Sequence, residues 1–243
     1  ASLGLRAEGP SALVPFGPAT SVQVNVNASG NNILGDAANE PTIAIDRTNP
    51  NHIAIAWRQF DSVTSNFRQA GHAYSTDGGQ TWAFPGVLDP GQFRSDPVLG
   101  SDAAGNFYFS SLSSVTSAEV FKSLDGGVTW GPEVRAFGGD KQWLAVDGRS
   151  SGMGVGHIYQ NWNVQFSCCP PNDFTRSING AASFQAPIAV PLPSMKWGTL
   201  DVGSDGTLYL GDRLLPGAAL NGTEYVSRAS SYRPSARYTS PSK

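Results

Sequence analysis

Four times along the chain, a short strand-like segment runs into a turn marked by aspartate and is followed by a compact apolar run. Glu40-Pro41-Thr42-Ile43-Ala44-Ile45-Asp46 precedes Ile53-Ala54-Ile55-Ala56-Trp57, and Asp96-Pro97-Val98-Leu99-Gly100-Ser101-Asp102 precedes Phe107-Tyr108-Phe109. Lys141-Gln142-Trp143-Leu144-Ala145-Val146-Asp147 precedes His157-Ile158-Tyr159, and Thr199-Leu200-Asp201-Val202-Gly203-Ser204-Asp205 precedes Leu208-Tyr209-Leu210. Short β-branched and aromatic runs bounded by Gly, Asn and Pro read as strands. Val22, Val24 and Val26 alternate with polar residues and predict another. Residues 1–20, rich in Gly, Pro, Ala and Ser, read as an arm or linker, and 21–243 as one domain.

A second pattern keeps step with the first. Ser75-Thr76-Asp77-Gly78-Gly79-Gln80-Thr81-Trp82 recurs as Ser123-Leu124-Asp125-Gly126-Gly127-Val128-Thr129-Trp130, and in decayed form as Ser177-Ile178-Asn179-Gly180-Ala181-Ala182-Ser183-Phe184. Its chemistry is that of a self-closing turn. The Asp or Asn side chain accepts from nearby backbone N–H groups, glycine takes positive φ, and the serine hydroxyl adds a local bond. The tryptophan lays an apolar face on neighbouring strands. These aspartates therefore read as structural rather than catalytic.

The turn aspartates at 46, 102, 147 and 205 are spaced by 56, 45 and 58 residues, and residues 77, 125 and 179 precede the next one by 25, 22 and 26. Constant phase between two unrelated motifs predicts repeated units, near 36–94, 95–139, 140–195 and 196–243. Each holds about four short strands, the content of a propeller blade. The expected fold is all-β, a β-propeller of four-stranded antiparallel blades.

Composition agrees. Charged residues are only 14%, against 28 glycines and 17 prolines, which suits many tight turns rather than helices. A net charge of −3 provides no basic footprint for nucleic acid. No segment has the length of apolar residues that a membrane span needs. The chain begins at Ala1 without methionine, which reads as removal of an upstream segment. Adjacent Cys168 and Cys169 can close a vicinal disulfide, stay free, or pair with another chain; a disulfide favours an oxidising compartment. Asn27-Ala28-Ser29 and Asn221-Gly222-Thr223 are formal glycosylation sequons.

The octapeptides at 75–82 and 123–130, S-x-D-x-G-x-x-W, resemble the Asp-box, or bacterial neuraminidase repeat, through Ser75, Asp77, Gly79, Trp82, Ser123, Asp125, Gly127 and Trp130. The resemblance to sialidase-like propellers covers roughly residues 36–215. It implies a secreted, periplasmic or cell-surface protein and a six-bladed ring, of which four repeats are recognisable here; a truncated or incomplete ring is the expectation, and an unusually small four-bladed propeller the alternative.

Aligning the repeats places Glu40, Asp96, Lys141 and Thr199 at one equivalent position where the first strand begins. Arg58 with Asp61, Asn161 with Trp162 and Asn163, and Asp212 with Arg213 fall together after the second strand. The candidate ligand-binding residues are thus Glu40, Arg58, Asp96, Lys141, Trp162, Asp212 and Arg213 around one channel mouth. Arginine forks hold carboxylates and aromatic faces stack on sugars, which suits an acidic saccharide. The competing reading makes Glu40 and Asp96 partners of Arg58 or Arg94 in structural ion pairs.

A sialidase would need an arginine triad, a tyrosine nucleophile assisted by glutamate and an acid/base aspartate. The Arg-Ile-Pro motif is absent, and Tyr74, Tyr108, Tyr159, Tyr209, Glu119, Glu133 and Glu224 have no recognisable catalytic setting. The leading expectation is a glycan-binding propeller module rather than an enzyme. The alternatives are an exo-sialidase type glycoside hydrolase and a protein-interaction scaffold. His52, His72 and His157 lack ligand spacing, so no metal is assigned; calcium at Asn25-Val26-Asn27 or Asn31-Asn32 stays open. The stretch 167–173 around Cys168 and Cys169 reads as an insertion in a connecting loop, either a staple or a rigid apolar platform.

Overall fold

The computed structural model describes residues 9–10, 13–190 and 198–211 in full, and residues 212–213 and 224–230 by their backbone. The described residues are all-β, apart from one 3₁₀ turn at Val164–Phe166. A hairpin of β1 (Leu13–Phe16) and β2 (Ala19–Val22) lies within the segment read as an arm. The strand expected through Val22, Val24 and Val26 is not formed. Only Val22 belongs to a strand, and Val26 makes an isolated bridge to Asn32, where the chain turns at Asn27.

Four antiparallel sheets follow in chain order. The first holds β3 (Ala37–Ile45), β4 (Ile53–Phe60), β5 (Gln69–Ser75) and β6 (Val87–Leu88); the second holds β7 (Ser95–Ser101), β8 (Phe107–Ser114), β9 (Ser117–Ser123) and β10 (Val134–Arg135). The third holds β11 (Trp143–Val146), β12 (Ile158–Asn161) and β13 (Phe174–Ser177), extended by a bridge from Phe174 to Ile188. The fourth holds β14 (Thr199–Val202), β15 (Thr207–Arg213) and β16 (Glu224–Ser230). The first strand of each sheet contacts the first strand of the next, β3 to β7, β7 to β11 and β11 to β14. This is the radial succession of a propeller.

Three cores fill the spaces between sheets. Leu99, Phe107, Phe109 and Phe121 of the second sheet meet Ala44, Ala54, Ala56 and Ala70 of the first. Leu144, Val146 and Ile158 of the third meet Val98, Tyr108 and Val120 of the second. Leu200, Leu208 and Leu210 of the fourth meet Ala145 and Tyr159 of the third. At one register position Leu99, Leu144 and Leu200 face the preceding sheet, and at the next a small residue (Ala44, Gly100, Ala145) receives the sheet that follows. At Gly100 a Cβ would lie 2.7 Å from Val146 Cγ2, so glycine there sets the distance between sheets.

The turn strings fold alike. Ser75 Oγ donates to Asp77 Oδ1 (2.7 Å) and accepts from Gly79 N, while Asp77 accepts from Thr81 N (2.9 Å) and Thr81 Oγ1. Ser123, Asp125, Gly127 and Thr129 repeat the set. Ser177, Asn179, Ala181 and Ser183 repeat it again; Ala181 takes φ 66° where the other two copies have glycine. These bonds hold Asp77 down at about 2. Trp130 packs on Phe109 and edge-on to His72, joining the second sheet to the first.

The fourth repeat is out of step with its expected alignment. Asp46, Asp102 and Asp147 each donate their N–H across the turn, to His52, Asn106 and His157; in the fourth sheet Gly203 does so, to Thr207. Asp205 instead caps the inside of that tight turn through Thr207 N and Oγ1. Thr199 is therefore not the partner of Glu40, Asp96 and Lys141. That position is residue 197, outside the described residues.

Gly100→Ala is expected to overpack the inner layer, costing about 1–3 kcal/mol in a urea unfolding experiment. His72 is buried and held down to about 4 by desolvation, against about 6.5 in the unfolded chain. Its contribution is intact above pH 6.5 and is lost as pH falls toward 4, because the unfolded state alone takes up the proton. Unfolding free energy should drop by up to about 3 kcal/mol over that window, and His72→Gln should flatten the profile there.

Candidate functional site

Three residues begin the innermost strands in the same unusual conformation. Glu40, Asp96 and Lys141 have φ of 53°, 51° and 55°, a region that costs a side-chain-bearing residue about 1–3 kcal/mol. Ladder register shifts there in two strands, between Asn39 and Thr42 in β3 and between Ser95 and Val98 in β7. Such bulges re-aim a side chain. Recurrence of the left-handed residue at one register position in three sheets makes it a repeated part of the architecture.

The re-aimed side chains meet one another. Lys141 Nζ lies 3.3 Å from Glu40 Oε1 and 3.4 Å from Asp96 Oδ2. Arg58 Nη2 approaches Glu40 Oε1 at 2.9 Å, and its Nε donates to Asn39 Oδ1. Asp96 also accepts from Ser95 Oγ (2.7 Å) and from the Lys141 N–H (3.3 Å), and its backbone carbonyl accepts from Gln142 Nε2. Arg68 Nη1 donates to Ser95 Oγ (3.4 Å). The first three sheets are thus joined through charged groups at one mouth. Glu40 and Lys141 are over one-third exposed while Asp96 is buried, so the network has a sealed base and an open rim.

Asp140 stands beside this network. Burial first, then the neighbouring Asp96 carboxylate, push its carboxyl above the usual range; Lys141 and Arg68 oppose the shift and Glu40 adds to it. The insertion loop holds the Asp140 backbone from both sides, its N–H donating to Phe166 O and its carbonyl accepting from Asn163 N. In the same loop Cys168 and Cys169 are joined as a vicinal disulfide, tied to the rim by Cys168 N to Gly138 O. Phe166 is exposed beside it.

Not every expected residue reaches this mouth in usable form. Trp162 is only 1% exposed and offers no open face for stacking. Trp143, on the innermost strand two residues beyond Lys141, is 43% exposed and is the accessible aromatic. The backbones of Asp212 and Arg213 pair with Tyr225 and Glu224, and their side chains lie outside the described residues. Arg94 serves neither Glu40 nor Asp96; it is buried against Asp89 and Glu133 and lies over Phe121. The expected free arginine fork is also absent at Arg58, which Glu40 already holds.

Sequence reasoning passed over Arg68, Asp140 and Trp143. Trp143 carried a signal, since it occupies the register position of Thr42 and Val98 in the other repeats, and a large aromatic there has no symmetry-related counterpart. Around it, the Asn161 amide, Gln142 Oε1 and Trp162 Nε1 are buried without a hydrogen-bond partner. Buried polar groups in that state are rare and costly. Among the described residues no His, Cys, Asp and Glu side chains converge as a metal-ligand set, and no helix is long and apolar enough to cross a membrane.

No family model matches the chain and no curated protein is similar to it. Solved structures are. A protein of unknown function from Dyadobacter fermentans is similar over 80% of this chain at 16% identity and a TM-score of 0.53. An α-L-arabinofuranosidase from Fusarium graminearum, solved with an iminosugar inhibitor, is similar over 82% at 12% identity and a TM-score of 0.52. A GH74 xyloglucanase from Xanthomonas campestris is similar over 78% at 16% identity and a TM-score of 0.50. The chain spans 66%, 61% and 29% of those three chains. Likeness at this identity establishes a shared fold.

Removing the Asp96 charge should release Asp140. In Asp96→Asn the Asp140 carboxyl is expected to titrate at lower pH than in the unaltered protein, read by carbon-detected NMR across an acid titration. An unchanged midpoint would mean that burial alone raises it.

Proposed function

We propose that this chain is a propeller module that binds carbohydrate at the mouth where Glu40, Asp96 and Lys141 meet. The observation that carries the reading is the pairing of this strained, three-sheet charged network with an exposed Trp143 beside it. Conformational strain retained at one recurring position accords with a ligand site. Sugars offer an apolar ring face and a fringe of hydroxyls. An aromatic face takes the first, and carboxylates, Lys141 and Asp140 exchange hydrogen bonds with the second. Because Arg58 and Lys141 already have carboxylate partners, the network suits hydroxyl-rich glycans at least as well as acidic ones. The arabinofuranosidase and xyloglucanase among the similar folds favour a carbohydrate ligand, and the vicinal disulfide favours an oxidising setting outside the cytoplasm.

A second reading is glycoside hydrolysis, favoured by one observation: burial and the neighbouring Asp96 carboxylate push the Asp140 carboxyl above its usual range. A carboxyl whose hold on its proton is strengthened beside other carboxyl groups is the arrangement from which an acid catalyst is made. Release of nitrophenol from aryl glycosides, lost in Asp140→Asn, would establish it.

Ring size belongs to the same proposal. In the second, third and fourth sheets Leu99, Leu144 and Leu200 of the innermost strand pack on the sheet before. Their counterpart in the first, Ile43, and its strand neighbour Ile45 are 57% and 50% exposed. That apolar ledge is a seat for a further blade, in keeping with an incomplete ring.

A glycan array followed by calorimetry tests the binding reading. Neutral and uronic-acid oligosaccharides should give saturable heats, weakened about tenfold in Trp143→Ala. An array without hits, together with flat calorimetry for both classes, would remove the proposal.

A further inference from the structure

The innermost strands run side by side from the charged mouth to the opposite end of the channel, roughly 20 Å away for the seven residue steps from Lys141 to Gly148 at strand rise. A cavity of about 540 Å³ opens there, lined by Arg47, Gly148, Arg149, Ser150, Ser151 and Ser204, among others. Its size falls within the range of small-molecule pockets, about 300–1,000 Å³.

Two guanidinium groups are built into its wall. Arg47 is exposed and anchored by one bond, Nε donating to Ser101 O at 3.3 Å. Its side chain lies across Gly148 so closely that any Cβ there would collide with the guanidinium. Arg149 is fixed from behind by the fully buried Asp147, Nε and Nη2 donating to its two oxygens at 2.8 and 2.6 Å. Gly206 leaves room for that guanidinium in the same way. Among the described residues, both Nη groups of Arg47 and Nη1 of Arg149 have no acceptor, and Arg47 has no carboxylate within ion-pair reach.

The nearby carboxylates are engaged in their own turns. Asp46 accepts from Thr48 N, Thr48 Oγ1, Asn49 N and the His52 ring. Asp205 accepts from Thr207 N and Oγ1, and Asp147 is consumed by Arg149. Asp201, on the channel wall, accepts from Val202 N. Free donors of fixed geometry therefore come from the arginines, with serine hydroxyls beside them. Planar guanidinium forks of this kind match oxyanions.

We propose that this second mouth binds a small oxyanion, a phosphate, sulfate or carboxylate group, between Arg47 and Arg149. The site shares no residue with the Glu40–Asp96–Lys141 network, although Arg47 and Trp143 both line a cavity along the channel between the two mouths.

Calorimetric titration of the whole chain with inorganic phosphate, sulfate and acetate, at constant ionic strength, tests this. Saturable binding of at least one anion is expected, weakened about tenfold or more in Arg47→Gln and partly kept in Arg47→Lys. Lys141→Ala, at the other mouth, should leave it unchanged. Preference for phosphate and sulfate assigns a tetrahedral group, and equal or better binding of acetate assigns a carboxylate. Arg47 is exposed, so the variants should keep the parental circular dichroism spectrum and melting behaviour. Indistinguishable heats for the parent and Arg47→Gln, equal loss in Lys141→Ala, or no saturation with any of the three anions would overturn the proposal.

Discussion

Close approach of the innermost strands is the constraint on which the molecule depends. Each sheet presents a small residue (Ala44, Gly100, Ala145) to the sheet that follows, and that sheet answers with Leu99, Leu144 or Leu200. Apolar area buried in these seams is the main favourable term available to a protein with few charges and no α-helix among the described residues. At Gly100 the seam is tight enough to exclude even a methyl group without adjustment. The turn strings act from outside the same layers. Gly126 and Gly127 lie against His52 and Ala54, and Gly180 against Lys122 and Tyr108, so a tip of one sheet rests on the sheet before it.

That spacing is also what assembles the charged mouth. Glu40, Asp96 and Lys141 belong to three different sheets, and side-chain contact among them requires the strands to sit side by side with their bulges level. Packing energy in the seams thereby offsets three left-handed residues and a partly buried carboxylate network. The result is a rigid, pre-organised rim rather than a set of mobile loops, which lowers the ordering cost of binding. Asp140 gains its raised carboxyl from the same crowding.

The two ends of the channel differ chemically for a reason rooted in strand direction. All innermost strands start at the bulged mouth and finish at turns, so one end collects the residues that precede strands and the other collects the turn residues. The first end is a balanced network of acids and bases. At the second end the turn aspartates are closed by their own loops, which leaves Arg47 and Arg149 as the groups with unused hydrogen-bonding capacity. A single chain direction thus produces two mouths of opposite character.

The order of residues was enough to reveal the repeat, the self-closing tips, and the equivalence of Glu40, Asp96 and Lys141, because each rests on local spacing and turn chemistry. It misplaced the fourth repeat by two residues, since an aspartate inside a tight turn and one at its start look alike until the cross-turn bond is seen. It also favoured Trp162 over Trp143. Both are tryptophans in strand-like surroundings, and only the stacking of sheets decides that one is sealed and the other open. The left-handed conformation, the raised Asp140 and the free Arg47 guanidinium likewise arise from contacts between sheets. Local patterns set which elements form; distances across the seams set which side chains are left facing solvent with bonds still to make.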